Sequence, residues 1–479
     1  MSPPLIKFYK EVLYLNRHIK VKEYLDIICS QIRYKKIHAE ICEEIENHIN
    51  DQIEAFKAQG DNDETATIKA IEQMGDPVVI GTELDRVHRP KPEWSIIVLT
   101  FLLLAAGNFL RFFTSPQESN GLELYYKQLI FTAIGFALMV LCYYVDFTLI
   151  GKYPKLIFLS LFIFTILIIV ISNPVHGRFV YASYLLLLFP VAFAGIVYSM
   201  RNKGYLGIIF CGMCFGVSFI ISLTVPSAIS CILLALSCLL ILTAAILKNW
   251  FAVKKFYALL LIYLPALTFL SILFSTKVYR KRLKIALFPS IDPTGAGYIE
   301  NIIREILSGA NFIGQGILPK SYNGISVSQL LPDINSDHLL TYTIHRFGWI
   351  AFIIITVLLS VLIIRSIILC FKQKSALAFL VSTAATTTIA MQSLFYIVAN
   401  LGFQIFSPLS LPLISQSSSY LLINMCLIGI LLSVFRTGYF IKDKNDNNRG
   451  SKKASANSFL RFEDGKLIID FNIHNFTPQ

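Results

Sequence analysis

Between Leu206 and Leu247 the chain runs for 42 residues without a charged side chain, broken only near Pro226. A helix needs about 20 apolar residues to cross a bilayer, so this run is two membrane spans and a turn. It is too long for the core of a soluble domain. The pattern recurs along most of the 479 residues, of which 55% are hydrophobic and 15% charged. Soluble domains carry about a quarter charged residues. Inside a bilayer every backbone amide must find its partner within the protein, which leaves helices for apolar runs of this length. The expected fold is therefore an all-α polytopic membrane protein. About ten spans fall near 95–113, 126–147, 154–172, 180–199, 204–224, 227–247, 256–275, 346–370, 376–399 and 418–438.

Cation placement gives an orientation. With the N-terminus inside, the inner loops carry Lys152 and Lys155, Arg201 and Lys203, Lys248, Lys254 and Lys255, and Lys372 and Lys374. The loops near 115–125, 173–179 and 225–226 contain few cations. The expectation is N-in and C-in, with a small cytoplasmic helical domain and linker at 1–93, spans over 94–440 and a polar cytoplasmic tail at 441–479. A long loop, 276–345, then lies outside the cell between spans 7 and 8. The net charge of +12 follows from basic loops facing anionic lipid, and no nucleic-acid partner is implied.

Two features of the loop stand out. Lys277, Arg280, Lys281, Arg282 and Lys284 sit at the outer end of span 7, against the charge rule. Either a long translocated loop escapes that rule, or the cluster binds an anionic group such as a lipid pyrophosphate. Further on, Asp333 and Asp337 stand close to apolar spans, where an ionised carboxylate is costly and marks a site.

In the N-terminal part, Ile37, Ile41, Ile45, Ile49, Ile53 and Phe56 form one helix stripe. Gly60 ends that helix, Asp61 is expected to cap the next, and Gly75-Asp-Pro77 to stop it. No cleaved signal is read at the start. The nine cysteines form no disulfide framework, and Cys211 and Cys214 read as small buried hydrophobes. Glu44, His48 and Asp51 read as a solvated helix face. Asp146 and Arg365 are expected to pair locally or snorkel, and His176 reads as an exposed loop histidine. Lys466 to Phe471 alternates like a short strand.

The loop motifs Gly297-Tyr298, Ser308-Gly-Ala310, Gly314-Gln-Gly316, Leu331-Pro-Asp333, Asn335-Ser-Asp337 and Phe347-Gly348 resemble those of the SEDS family, the FtsW/RodA/SpoVE proteins. Tyr279-Arg-Lys-Arg-Leu283, Asp292-Pro-Thr-Gly295, Asn400-Leu-Gly402 and Pro408 to Ser415 extend the likeness, which covers about 94–440. The resemblance implies a multi-pass plasma-membrane glycosyltransferase. It would polymerise lipid II into peptidoglycan during cell-shape, division or sporulation synthesis, beside a class B penicillin-binding protein.

Asp337 stands at the family's essential aspartate and is implied as general base, with Ser336 next to it. Asp333 stands where the family carries Glu, and would assist or, with Asp337, hold a divalent cation such as Mg or Mn. No other cofactor is implied. Arg280, Arg282 and Lys284 are the implied pyrophosphate contacts, and Arg178 and Phe179 the implied substrate contacts. Phe179 replaces the family's Trp, Phe189 to Ala192 replaces its QPSE segment, Pro226 to Ser230 its PDLGT, and His345-Arg346 its Glu-Glu pair. These departures keep open a catalytically degenerate scaffold and a transporter of lipid-linked substrate. Gln31-Ile-Arg33, His48 to Asp51, Ala70, Met74 to Pro77 and His88 to Pro90 resemble the permease prefix module. That likeness implies docking to a cytoplasmic partner or the membrane surface.

Overall fold

The computed structural model describes residues 19–114, 121–174, 179–225, 227–319, 322, 325–404, 406, 409–415, 418–438, 460–463 and 466–469. They fall into two compact units, 19–91 with 460–469, and 92–438.

The first unit holds α1 (19–31), α2 (His38–Ala58), α3 (Asp63–Met74) and α4 (Pro77–His88). Ile41, Ile45, Ile49 and Ile53 of α2 are buried, as their four-residue spacing requires, in a core with Ile28, Ala66, Ala70, Met74 and Leu84. The cap of α3 is Asn62 rather than Asp61. Asn62 has the extended ψ of 167° that a cap needs, and its Oδ1 accepts from Thr65 N at 2.8 Å. Asp61 pairs instead with Lys69 at 2.8 Å. Gly75 ends α3 at φ +93°, and Asp76 caps α4 through Val78 N with Pro77 in the first turn. Cys29 of α1 and Cys42 of α2 face each other, with their Cα atoms 7.3 Å apart. The alternation in the tail is a strand: β1 (Leu460–Glu463) and β2 (Lys466–Ile469) pair antiparallel, and β2 touches α3.

The second unit contains ten segments long and apolar enough to cross a membrane among the described residues. Five lie before the middle of the chain: α5 (Trp94–Thr114), α6 (Gly121–Tyr144), α8 (Pro154–Ile171), a broken span of α9 (Val180–Leu185) and α10 (Phe189–Ser199), and α11 (Gly204–Thr224). The short α7 (Thr148–Lys152) lies between α6 and α8. Next come α12 (Ala228–Leu247), α13 (Lys255–Ser275), α18 (Trp349–Phe371), α19 (Ala376–Asn400) and α20 (Ser418–Thr437). Pro190 explains the broken span: it offers no N–H to the turn before it, and residues 186–188 tighten to a 3-10 turn. The α9–α10 span, α19 and α20 are mostly buried and form the centre, while α8 and α13 lie at the rim. Rim side chains such as Leu206 and Val170 stay open, as suits a chain solvated by lipid.

Close helix contacts depend on small residues. A Cβ at Gly429 of α20 would sit 2.6 Å from Cys142 Cβ and from Met139 O of α6. Ser433 Oγ donates to Val145 O at 2.6 Å along the same seam. A Cβ at Gly107 would meet Ile414 O at 2.7 Å, so segment 409–415 lies directly on α5. Arg365 pairs with Glu93 at 3.6 Å and donates to Ser95 Oγ at 3.1 Å, and Asp146 Oδ1 accepts from Thr148 N at 3.1 Å. Both pair locally, as expected.

Between α13 and α18 the chain folds rather than loops. It forms α14 (Lys277–Leu287), α15 (Tyr298–Ser308), α16 (Val327–Leu330) and α17 (Leu339–Phe347). Ile302, Ile303, Ile306, Val327, Leu330, Leu331, Ile334 and Tyr342 give this segment its own core. The eighth span starts at Trp349 rather than near 346, because Gly348 at φ +88° breaks α17 from α18. A Cβ there would sit 2.5 Å from Phe312 O.

Gly429→Leu is expected to force α6 and α20 apart. The thermal midpoint of the purified protein in detergent should fall by several degrees, where Gly212→Leu, on an open face of α11, changes it little.

Candidate active site

The turn that carries both acids is built on one carbonyl. Asp333 has φ +48°, a left-handed conformation that Asp tolerates better than most residues. Its carbonyl accepts from Ser336 N at 3.0 Å, Asp337 N at 2.9 Å and His338 N at 3.3 Å. The turn leaves Asp333 exposed and Ser336 and Asp337 half-buried.

The end of α19 grips the outside of this turn. The Tyr396 hydroxyl donates to Ser336 O at 2.7 Å and accepts from Leu339 N at 3.1 Å. Asn400 Nδ2 donates to Asp337 O at 2.9 Å, and Asn400 Oδ1 accepts from Thr341 N at 3.1 Å. Thr341 Oγ1 closes the ring onto Asn400 O at 2.9 Å. Tyr396 and Asn400 are fully buried, so these bonds form away from competing water. Asn400 belonged to a recognised motif, but Tyr396 was missed. Its signal was the four-residue spacing from Asn400, which puts two polar side chains on one face of an apolar helix.

His338 follows Asp337 and is buried, with no hydrogen-bond partner for Nδ1. Burial pushes its basicity down to about 4, against the pull of Asp333. Burial and then the Arg346 charge lower His345 as well. His345 O accepts from Gly316 N at 2.7 Å, and Arg346 donates to Gln315 at 2.6 Å, so the residues that replace an acidic pair hold the 309–317 segment in place.

The basic cluster is a helix, and helical spacing divides it. Lys277, Arg280, Lys281 and Lys284 share one stripe, while Arg282 falls on another side. All five are exposed, and Lys281 lies 3.5 Å from Asp292. The three expected pyrophosphate contacts therefore separate into Arg280 with Lys284, and Arg282 alone. Phe179 heads α9 half-buried, and Arg178 and His176 lie outside the described residues. Arg304 of α15, which sequence reasoning did not single out, donates to Ala286 O at 3.0 Å, Leu287 O at 3.2 Å and Gly402 O at 3.0 Å. No group of three or more metal-ligating side chains occurs among the described residues. Asp333 and Asp337 alone would leave most positions of any bound cation to water and substrate oxygens.

The family model for FtsW/RodA/SpoVE, described as cell cycle protein, matches residues 94–439. The chain belongs to this family. It is 27% identical over 199 residues to a probable peptidoglycan glycosyltransferase FtsW of Geobacter sp. (strain M18), covering 41% of this chain and 53% of that one. The chain thus spans about half the length of the curated FtsW relatives it matches. It is 23% identical over 376 residues to the stage V sporulation protein E of Bacillus subtilis (strain 168), covering 73% and 98%. Its fold matches a chain of a peptidoglycan synthase complex (TM-score 0.56, 17% identity, 73% and 98% covered). The Thermus thermophilus rod shape determining protein RodA also matches (TM-score 0.50, 12% identity, 74% and 98% covered). Like its FtsW/RodA/SpoVE relatives, the chain is a multi-pass protein of the bacterial plasma membrane.

Tyr396→Phe strands Ser336 O and Leu339 N without a partner, a loss of about 1–3 kcal/mol that thermal unfolding will register. The pH dependence has a definite sign. The ordinary His value is 6.5 and the folded one about 4, so between these limits unfolding takes up a proton and stability falls as pH drops. From pH 7 to 5 the expected loss is about 2 kcal/mol, and His338→Phe should flatten that part of the profile.

Proposed function

We propose that this protein is a peptidoglycan glycosyltransferase that polymerises lipid II at the outer face of the membrane. In this reading both termini are cytoplasmic, as the cation distribution favours. The observation that carries it is the Asp337 turn, gripped by buried side chains at the end of α19. A carboxylate on a backbone held in this way would keep a defined position, which a general base requires.

In the proposed reaction the acceptor sugar's hydroxyl attacks the anomeric carbon of the donor. Its proton passes to the Asp337 carboxylate as the bond to undecaprenyl pyrophosphate breaks, and the bonding electrons leave with the pyrophosphate. Arg280 and Lys284, on one stripe of α14, would neutralise that growing charge, with Arg282 offering a separate contact. Asp333 would orient the acceptor or share a divalent cation with Asp337 and the substrate phosphates. Arg178 and Phe179 would contact the glycan. A class B penicillin-binding protein would be the partner, and the fold match to a chain of a peptidoglycan synthase complex supports that kind of assembly. The N-terminal unit would dock a cytoplasmic partner or the membrane surface.

The replaced tryptophan and acidic pair favour one competing reading, a non-catalytic scaffold. Purified protein should convert lipid II to glycan strands with its penicillin-binding partner, and Asp337→Ala should lower the rate at least a hundredfold. Asp333→Asn keeps a side chain that tolerates φ +48°, so any loss there isolates the charge. No product from wild type with several candidate partners would establish the scaffold, and lipid flipping without polymerisation would establish a transporter.

A further inference from the structure

Helix α14 ends without intrahelical partners for its last carbonyls, as every helix does. Arg304, on the neighbouring α15, takes two of them, Ala286 O through Nη2 and Leu287 O through Nη1. Its Nε points elsewhere, to Gly402 O at 3.0 Å, and its plane lies 4.5 Å from the ring centre of Phe403. Gly402 has φ +83°, and a Cβ there would stand 2.7 Å from Arg304 Cγ. The site needs glycine for its conformation and for the space the arginine fills.

Two residues before Gly402 lies Asn400, whose amide holds Asp337 O. A continuous path therefore runs from the end of the cationic helix, through the Arg304 fork, along Gly402 to Asn400, and onto the Asp337 backbone. We propose that Arg304 is a positioning residue that fixes the cationic stripe of α14 in register with Asp337. This rests on the glycosyltransferase reading, in which α14 meets the leaving pyrophosphate while Asp337 meets the acceptor hydroxyl. Misplacing reacting groups by about 1 Å can cost a hundredfold in rate, so a rigid strut between the two ends has a chemical purpose. Lysine cannot replace it. A single ammonium lacks the planar fork that meets carbonyls on two separate elements while stacking on a ring.

The test compares full-length wild type, Arg304→Lys and the milder Phe403→Leu, which removes only the stacked ring. Arg304→Lys should lower kcat for lipid II polymerisation at least tenfold with KM within about threefold, because both ends still bind but out of register. Combined with Arg280→Gln, it should be no slower than the worse single variant, since both act through α14. A raised KM with kcat kept would make Arg304 another anion contact, and multiplying losses would make it independent of α14; either overturns the proposal. Hydrogen exchange supplies a readout that needs no activity. Arg304→Lys should speed exchange at the end of α14 and also at Leu339 and Thr341, with the spans unchanged and Phe403→Leu giving a weaker copy. A change confined to α14 and α15 would sink it. Inactive wild type would refute the polymerase reading, while exchange would still decide whether the strut exists.

Discussion

The carboxamide of Asn400 joins two parts of the molecule that the sequence keeps 60 residues apart. In this fully buried position its Nδ2 meets both Asp337 O and Tyr396 O, and its Oδ1 meets Thr341 N. The bonds to Asp337 O and Thr341 N serve buried backbone groups of the other segment, where a missing partner costs as much as losing a bond outright. The α19 terminus therefore has to carry such a residue for the preceding segment to pack on it at all. The placement of the Asp337 backbone follows from this satisfaction of main-chain polarity.

The centre of the bundle obeys a different economy. Lipid tails are as apolar as leucine, so helix pairs gain little from hiding surface and depend on close approach. Gly107 and Gly429 supply that approach on α5 and α20, and the latter brings the backbone of α6 within contact. The span that carries the grip on the turn, α19, is among the mostly buried ones, with the α9–α10 span and α20. Rigid support thus stands beneath the one region where position matters most.

The spans were legible because uncharged runs of bilayer length admit few alternatives, and a glycine and a proline moved or broke two of them. Gly348 shortened the eighth span and Pro190 split the fourth. The turn that carries Asp333 and Asp337 was marked by recognisable motifs. Tyr396 and Arg304 were not, for a physical reason: their partners are carbonyls, which every residue possesses, so no complementary residue type marks them. The cap of α3 was placed one residue early, because Asp61 and Asn62 are both good caps and only the backbone angles choose between them. Arg282 was grouped with Arg280 and Lys284 because adjacency in sequence hides the 100° step of a helix.

The hydrogen bonds of Tyr396 and Asn400 reach the turn through the carbonyls of Ser336 and Asp337. Those two bonds do not by themselves specify which side chains project from positions 336 and 337. Such a site behaves as a socket: its occupant can be exchanged through evolution or by design, and the surrounding architecture survives the exchange. Relatives that have abandoned one chemistry can keep the whole framework intact, and new reactivity can be tried there without first rebuilding the protein.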